Sequence, residues 1–160
     1  ILMQKTSFLG NAKKMKGGFF MKLKDIMTPD VIAVSPDTSV FDAAQIMKDK
    51  NIGAVPICKD NMNVEGILTD RDIVLNCVAE EKDCKAVHCH DCMTSDVITC
   101  SPDADAHECA RMMSEHQIRR VPIVENGELV GICAIGDLAT VNIHINEAGE
   151  ALSHISEQFH

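Results

Sequence analysis

Two short stretches hold the residues best able to do chemistry. Gly66-Ile67-Leu68-Thr69-Asp70-Arg71-Asp72 and Gly131-Ile132-Cys133-Ala134-Ile135-Gly136-Asp137 each run from an apolar strand end into a helix start, and each closes on an aspartate. An ionised carboxylate accepts on two oxygens, so it can take both hydroxyl protons of a ribose cis-diol. Free backbone N–H groups at a helix N-terminus are ready to receive phosphate. Asp72 and Asp137 in this setting suit a nucleotide. A structural role is open to the same residues, because Thr69-x-x-Asp72 is also a capping box in which the hydroxyl accepts from a backbone N–H and the acid reaches back. The second stretch has Ala134 in place of Thr69, which costs the cap about 0.5–2 kcal/mol, yet Asp137 is kept. An acid retained without its hydroxyl partner favours the ligand role.

The elements that position these acids come from an internal repeat. Asp25-Ile26-Met27-Thr28 returns as Asp91-Cys92-Met93-Thr94, Val31-Ile32 as Val97-Ile98, Ser35-Pro36-Asp37 as Ser101-Pro102-Asp103, and Val55-Pro56-Ile57 as Val121-Pro122-Ile123. The offset is constant until Gly66 and Gly131, where it shortens by one, so a residue is missing from a turn. Each copy opens with an amphipathic turn (Leu23 to Met27, Cys89 to Met93) and a small strand (Val31 to Val34, Val97 to Cys100). Ser-Pro-Asp stops that strand and sets up a helix N-terminus. Two apolar runs follow, Ala54 to Cys58 and Val64 to Leu68 in one copy, Val121 to Val124 and Leu129 to Cys133 in the other. Asn126-Gly127 between the last two tolerates positive φ and predicts a tight hairpin. A second helix, from about Asp70 to Val78 and from about Asp137 onward, completes a β-α-β-β-α unit. The fold class is α/β, two such repeats with mixed sheets flanked by helices.

On this reading repeat 1 spans 21–80, a linker 81–88, repeat 2 spans 89–143, and 144–160 is a helical extension. The last helix, running from about Asp137 into this extension, carries Leu138, Val141, Ile145, Ala148, Leu152, Ile155 and Phe159, which predict one long seam that either docks back or pairs with another subunit. Residues 1–20 lie outside the repeat, with Lys5, Lys13, Lys14 and Lys16 and no sustained apolar run. They are expected to be a tail or a start-site artefact ahead of Met21, not a signal peptide.

A hydrophobic share of 46% with 24% charged residues marks a globular chain of 160 residues, long enough for a real core. A net charge of −9 argues against nucleic acid, and the absence of Trp and Tyr removes base-stacking platforms. No apolar run approaches the roughly 20 residues that cross a bilayer, and a cytoplasmic location is expected. His107, His116, His144, His154 and His160 are scattered, with no Ser-His-Asp order, phosphate loop or paired carboxylates, so no catalytic residue is assigned and no enzyme is expected.

The ordered set Asp-x-Met-Thr, Ser-Pro-Asp, apolar-Pro-apolar and Gly-apolar-apolar-x-x-x-Asp, occurring twice between 22 and about 143, resembles the tandem cystathionine-β-synthase-type (CBS) domain pair. The resemblance implies a pseudo-two-fold regulatory module, frequently homodimeric, whose clefts bind an adenosine-containing small molecule, AMP or ATP here, and whose occupancy is passed to an unidentified effector protein. It further implies that the opening segment of each unit completes the other's cleft. Thr94, Val97 and Ile98 would then lie beside Thr69 and Asp72, and Thr28, Val31 and Ile32 beside Asp137. The four aliphatic residues would sandwich an adenine. Arg119 and Arg120, just before Val121 and Pro122, take positions where the family places basic residues facing phosphate, whereas the first copy has Gly53 and Ala54. The carry-over thus gives the Asp137 cleft charge without the hydroxyl, and the Asp72 cleft Thr69 with little charge apart from Arg71.

Eight cysteines open an alternative, a metal or redox sensor on the same fold. Cys84, His88, Cys89, His90 and Cys92 form a zinc-like ligand set within one short stretch. The repeat weighs against it. Cys89, Cys92, Cys100, Cys109 and Cys133 align with Leu23, Ile26, Val34, Ala43 and Leu68, and Cys58 with Val124, so six take positions that are apolar in the sister copy. No metal ligand is assigned, and Cys84 is the candidate exposed thiol. A ligand-free dimerisation module is the remaining alternative.

Overall fold

The computed structural model describes residues 14–15, 18–19, 21–140 and 145–156. Lys14–Met15 (β1) and Gly18–Phe19 (β2) form a two-residue antiparallel ladder ahead of the repeat. Val141 and Phe159 of the expected seam lie outside the described residues, as do most of residues 1–20.

Each copy is built around one antiparallel hairpin. β3 (Ala54–Lys59) pairs with β4 (Asn63–Thr69), and β5 (Arg120–Glu125) with β6 (Glu128–Ala134). In β6, Leu129, Gly131 and Cys133 are buried and their neighbours are not, the alternation of a sheet with one face on the core. Asn126 and Gly127, at φ 52° and 88°, close the second hairpin in two residues. The first closes in three, Asp60–Met62, with Met62 at φ 60°. That longer turn accounts for the shortened offset between the copies.

Helices cover one side of each hairpin. Ser39 starts α1 (Val40–Lys50), its Oγ accepting from Asp42 N at 3.0 Å, and Asp105 starts α3 (Ala106–Glu115), its Oδ1 accepting from His107 N at 3.0 Å. α2 (Asp70–Ile73) runs on into a wider turn, Val74–Val78, where Ala79 N bonds Val74 O at 2.8 Å. α4 (Ile135–Ala139) instead stops early, because Thr140 donates through both N and Oγ1 to Asp137 O. The expected continuous last helix is therefore two, α4 and α5 (Ile145–Ser156). α5 docks back on α3 and α4: Ala148, Ala151 and Ile155 are buried, and the Ser114 hydroxyl lies 2.9 Å from His154 Nδ1. Leu152, expected in the seam, is 45% exposed, and Ala151 takes the buried position.

The small opening strands also differ from expectation. Each shrinks to a single parallel bridge, Val34 to Ile57 and Cys100 to Ile123. Asp30, at φ 55°, bends the chain before the first. Val97 N bonds Ser95 O at 2.9 Å, which withdraws that donor from any ladder in the second.

The opening turns are exchanged between the copies. Leu23–Asp25 docks on the second: Leu23 N bonds Ala104 O at 3.0 Å, Ala106 N bonds Met21 O at 2.9 Å, and the Leu23 side chain is fully buried among Cys109, Met113, Ile123 and Leu138. Cys89–Asp91 docks on the first: Cys89 N bonds Thr38 O and Val40 N bonds Val87 O, both at 2.9 Å, with Cys89 and Cys92 buried among Val40, Ile57 and Leu68. Two cores result, each plugged by residues from the other repeat.

Candidate functional site

The exchange sets up the helix mouths. Beyond its turn, each opening segment adds one residue to the edge of the other copy's hairpin. Thr94 and Ile67 exchange two backbone bonds of 3.0 Å, and Thr28 and Ile132 do the same at 2.9 and 3.0 Å. Ile67 and Ile132 each stand two residues before the N-cap of α2 or α4. The methionine of Asp-x-Met-Thr then lies across the glycine of the opposite strand. A Cβ on Gly66 would collide with the Met93 thioether and come within 3.0 Å of Thr94 O, and one on Gly131 would collide with Met27. Glycine is required at both places by close approach, which is why it opens both chemistry-bearing stretches.

At the first mouth Asp72 Oδ2 accepts from Thr69 N at 2.8 Å and from Thr69 Oγ1 at 2.7 Å, while Asp72 N donates to Thr69 Oγ1 at 3.1 Å. The capping box is complete. At the second, Asp137 Oδ2 accepts from Ala134 N at the same 2.8 Å. Half the box therefore survives without the hydroxyl. This corrects the inference from Ala134: the cap alone accounts for the retention of Asp137. In both copies the remaining oxygen, Oδ1, takes none of these bonds, and both aspartates are half-buried.

Of the other predicted site residues, Thr28, Thr94 and Arg119 are exposed and Val31, Val97 and Ile98 half-buried, while Ile32 is 37% exposed. Pro122 is not brought to a surface, since its side chain is fully buried in β5. Arg119 serves with its backbone, its carbonyl accepting from Ile135 N at 2.9 Å as Gly53 O does from Asp70 N at 3.1 Å. Arg120 pairs with Ala134 in the β5–β6 register, yet its Nη2 lies 3.3 Å from where a Cβ on Gly53 would sit, with Asp70 Oδ2 at 2.9 Å from the same point. The guanidinium thus reaches the first copy as well. Beyond Arg71, Arg120 therefore brings charge next to Asp70 in the first copy, because an arginine side chain is long enough to span the boundary.

The thiols face inward. Among the described residues all eight cysteines are free, and only Cys84 is not fully or nearly buried. Burial pushes the thiols of Cys58 and Cys89 up to about 11, so the thiolate that binds metal or attacks an oxidant is scarce at neutral pH. The proposed Cys/His ligand set is split accordingly, with Cys89 and Cys92 in the core and His88 and His90 outside.

The CBS domain model matches residues 23–78 and 89–144. The CBS domain-containing protein YhcV of Bacillus subtilis is 39% identical over 136 residues, 85% of this chain and 96% of that one. A crystal structure of Hypoxic Response Protein I with two coordinated zinc ions superposes with a TM-score of 0.70 at 35% identity, over 75% of this chain and 98% of that one. The CBS domain pair of protein MJ0100, solved in complex with 5′-methylthioadenosine and S-adenosyl-L-methionine, gives 0.69 at 30% identity, over 76% and 94%. The chain belongs to the CBS domain family, as a tandem pair that forms a regulatory module. No helix among the described residues is long and apolar enough to cross a membrane.

Proposed function

We propose that this module senses an adenine nucleotide, AMP or ATP, or a related adenosyl ligand, held at the helix mouths by Asp72 and Asp137 through the ribose diol. The observation that carries the reading is the exchange of Thr28 and Thr94, which lays a segment of one repeat on the strand that leads into the other's aspartate-bearing helix. The complex of the MJ0100 pair with two adenosyl compounds supports the ligand class. Val31, Ile32, Val97 and Ile98 contribute apolar contact to the base, Thr28, Thr69 and Thr94 hydroxyls, and Arg119 and Arg120 charge for phosphate. A ligand gripped by both repeats favours one relative orientation and shifts an existing equilibrium by its differential affinity. An effector protein reads that shift.

A second copy of the chain is proposed to cover the first repeat's rear helix, where Val74, Leu75 and Val78 are 53%, 48% and 56% exposed. Isothermal titration of the full chain with AMP, ATP and S-adenosylmethionine tests the ligand. Asp137→Asn keeps an acceptor for Ala134 N but loses the charge, so it is expected to weaken binding at least about tenfold, as a lost charge-assisted pair of bonds implies. Unchanged binding in both Asp72→Asn and Asp137→Asn overturns the ribose assignment. Absence of binding by any of the three leaves the ligand-free dimerisation module.

A further inference from the structure

We propose that His88, His90 and Asp91 form a surface site for a zinc-class divalent cation, at the edge where the second repeat's opening turn meets the first repeat. Their ligand atoms lie within 4.8 Å of one another, and all three residues are exposed. Tetrahedral zinc bound to imidazole at about 2.0–2.1 Å sets its donors about 3.3 Å apart. Exposed side chains close that difference by small rotations.

The hydrogen bonds around the cluster already orient it. His90 Nδ1 lies 3.1 Å from Pro36 O, and a carbonyl only accepts, so the proton is on Nδ1 and the lone pair on Nε2. Metal-binding histidines commonly donate their second nitrogen to a backbone carbonyl in this way. The Nε2 lone pair points to Asp91 Oδ1 at 3.3 Å. Asp91 is steadied by His88 N, which donates to its other oxygen at 3.3 Å. Two acceptors face each other across that gap, and only a cation, a proton or a metal ion, makes the arrangement attractive. The His88 ring stacks on His90, centroids 5.5 Å apart and 8° from parallel, which supplies a second imidazole from the same side.

The repeat supplies an internal control. His88, His90 and Asp37 stand where the other copy has Lys22, Lys24 and Asp103. There both ammonium groups pair with the carboxylate, at 2.7 and 2.9 Å, and hold it well below the usual carboxylate range. That edge carries its own cations. On the histidine edge Asp37 lies 3.6 Å from His90 Nδ1, and an adjoining pocket of about 590 Å³ adds Asp60 and Glu65 against Lys59 alone. The surplus of negative charge is what a divalent ion would neutralise, and imidazole with one carboxylate suits zinc better than magnesium or calcium.

Titration of the metal-free full chain with zinc chloride, and a cobalt(II) spectrum, test the site. One zinc per chain is expected. His88→Lys with His90→Lys, which copies the other edge and so preserves the fold, is expected to lower affinity by more than the roughly 10–100-fold typical of losing an outer-shell partner. Cys84→Ser is expected to leave it unchanged, and the cobalt spectrum to lack a sulfur-to-metal charge-transfer band. No zinc uptake, uptake undiminished in the double-lysine variant, or uptake lost in Cys84→Ser each overturns the proposal.

Discussion

The two repeats share a backbone plan and differ in what is laid on it. The second is closed: α5 covers α3 and α4 with Ala148, Ala151 and Ile155, and Lys22 and Lys24 neutralise Asp103 at its edge. The first is open: Val74, Leu75 and Val78 are bare on its rear helix, and the equivalent edge carries the stacked imidazoles of His88 and His90, the latter beside Asp37. Only the first has the full cap, Thr69 with Asp72, whereas Ala134 leaves half of it to Asp137. Duplication fixed what the fold needs, the hairpins, the glycines under methionine and the aspartate caps. It left the edges and outer helix faces to diverge, so partners and ions are expected on the first repeat's side.

Substitutions that interchange the copies sharpen the contrast. The largest effect is expected from Leu23→Ala, which empties a fully buried site and costs about 2–5 kcal/mol. Because Leu23 plugs the second core, hydrogen exchange is expected to accelerate in β5 and β6 before β3 and β4. Next comes alkaline pH. The Cys89 thiol, which plugs the first core, is raised from 9.0 to about 11, so the protonated fold is fully favoured below pH 9 and loses that stability as pH rises to about 11. The loss from Cys89 is up to about 3 kcal/mol, and Cys89→Ala is expected to make the fall of melting temperature with pH shallower over that window without abolishing it, since Cys58 is raised over the same range.

Gly66→Ala and Gly131→Ala overpack the crossing of strand and methionine, at about 1–3 kcal/mol each by denaturant unfolding. Gly66 is expected to cost more, because its Cβ would also meet the Thr94 carbonyl, whereas the three atoms nearest a Cβ on Gly131 all belong to the flexible Met27. The smallest effect is at the caps. Thr69→Ala makes the first mouth resemble the second and is expected to lose about 1 kcal/mol, and Ala134→Thr to gain a similar amount.

The hairpins, the Asn126-Gly127 turn and the Thr69–Asp72 cap were legible because each is set by neighbours in sequence. The inward thiols were legible too, since Cys89, Cys100 and Cys133 align with Leu23, Val34 and Leu68. What resisted was decided by distant chain. Val31 to Val34 looks like a strand, but its length in a sheet depends on what pairs beside it, and with Asp30 bending the chain ahead of it only Val34 forms a bridge. Ala134 seemed to leave Asp137 without a capping role because the backbone N–H that it serves has no signature in side-chain identity. Arg120 was assigned to one mouth by its place in the repeat, while its reach across the boundary follows from tertiary packing. Asp91 was missed as a companion of His88 and His90 because its repeat partner, Asp25, made it read as part of the opening motif.

A cut in the linker, between Glu80 and Asp83, would not release two miniature proteins. Each fragment would hold the stopper for the other's vessel, Leu23 on one and Cys89 on the other, and would expose its own unfilled interior. The fragments become whole only by finding each other, so the smallest heritable form of this architecture is the pair.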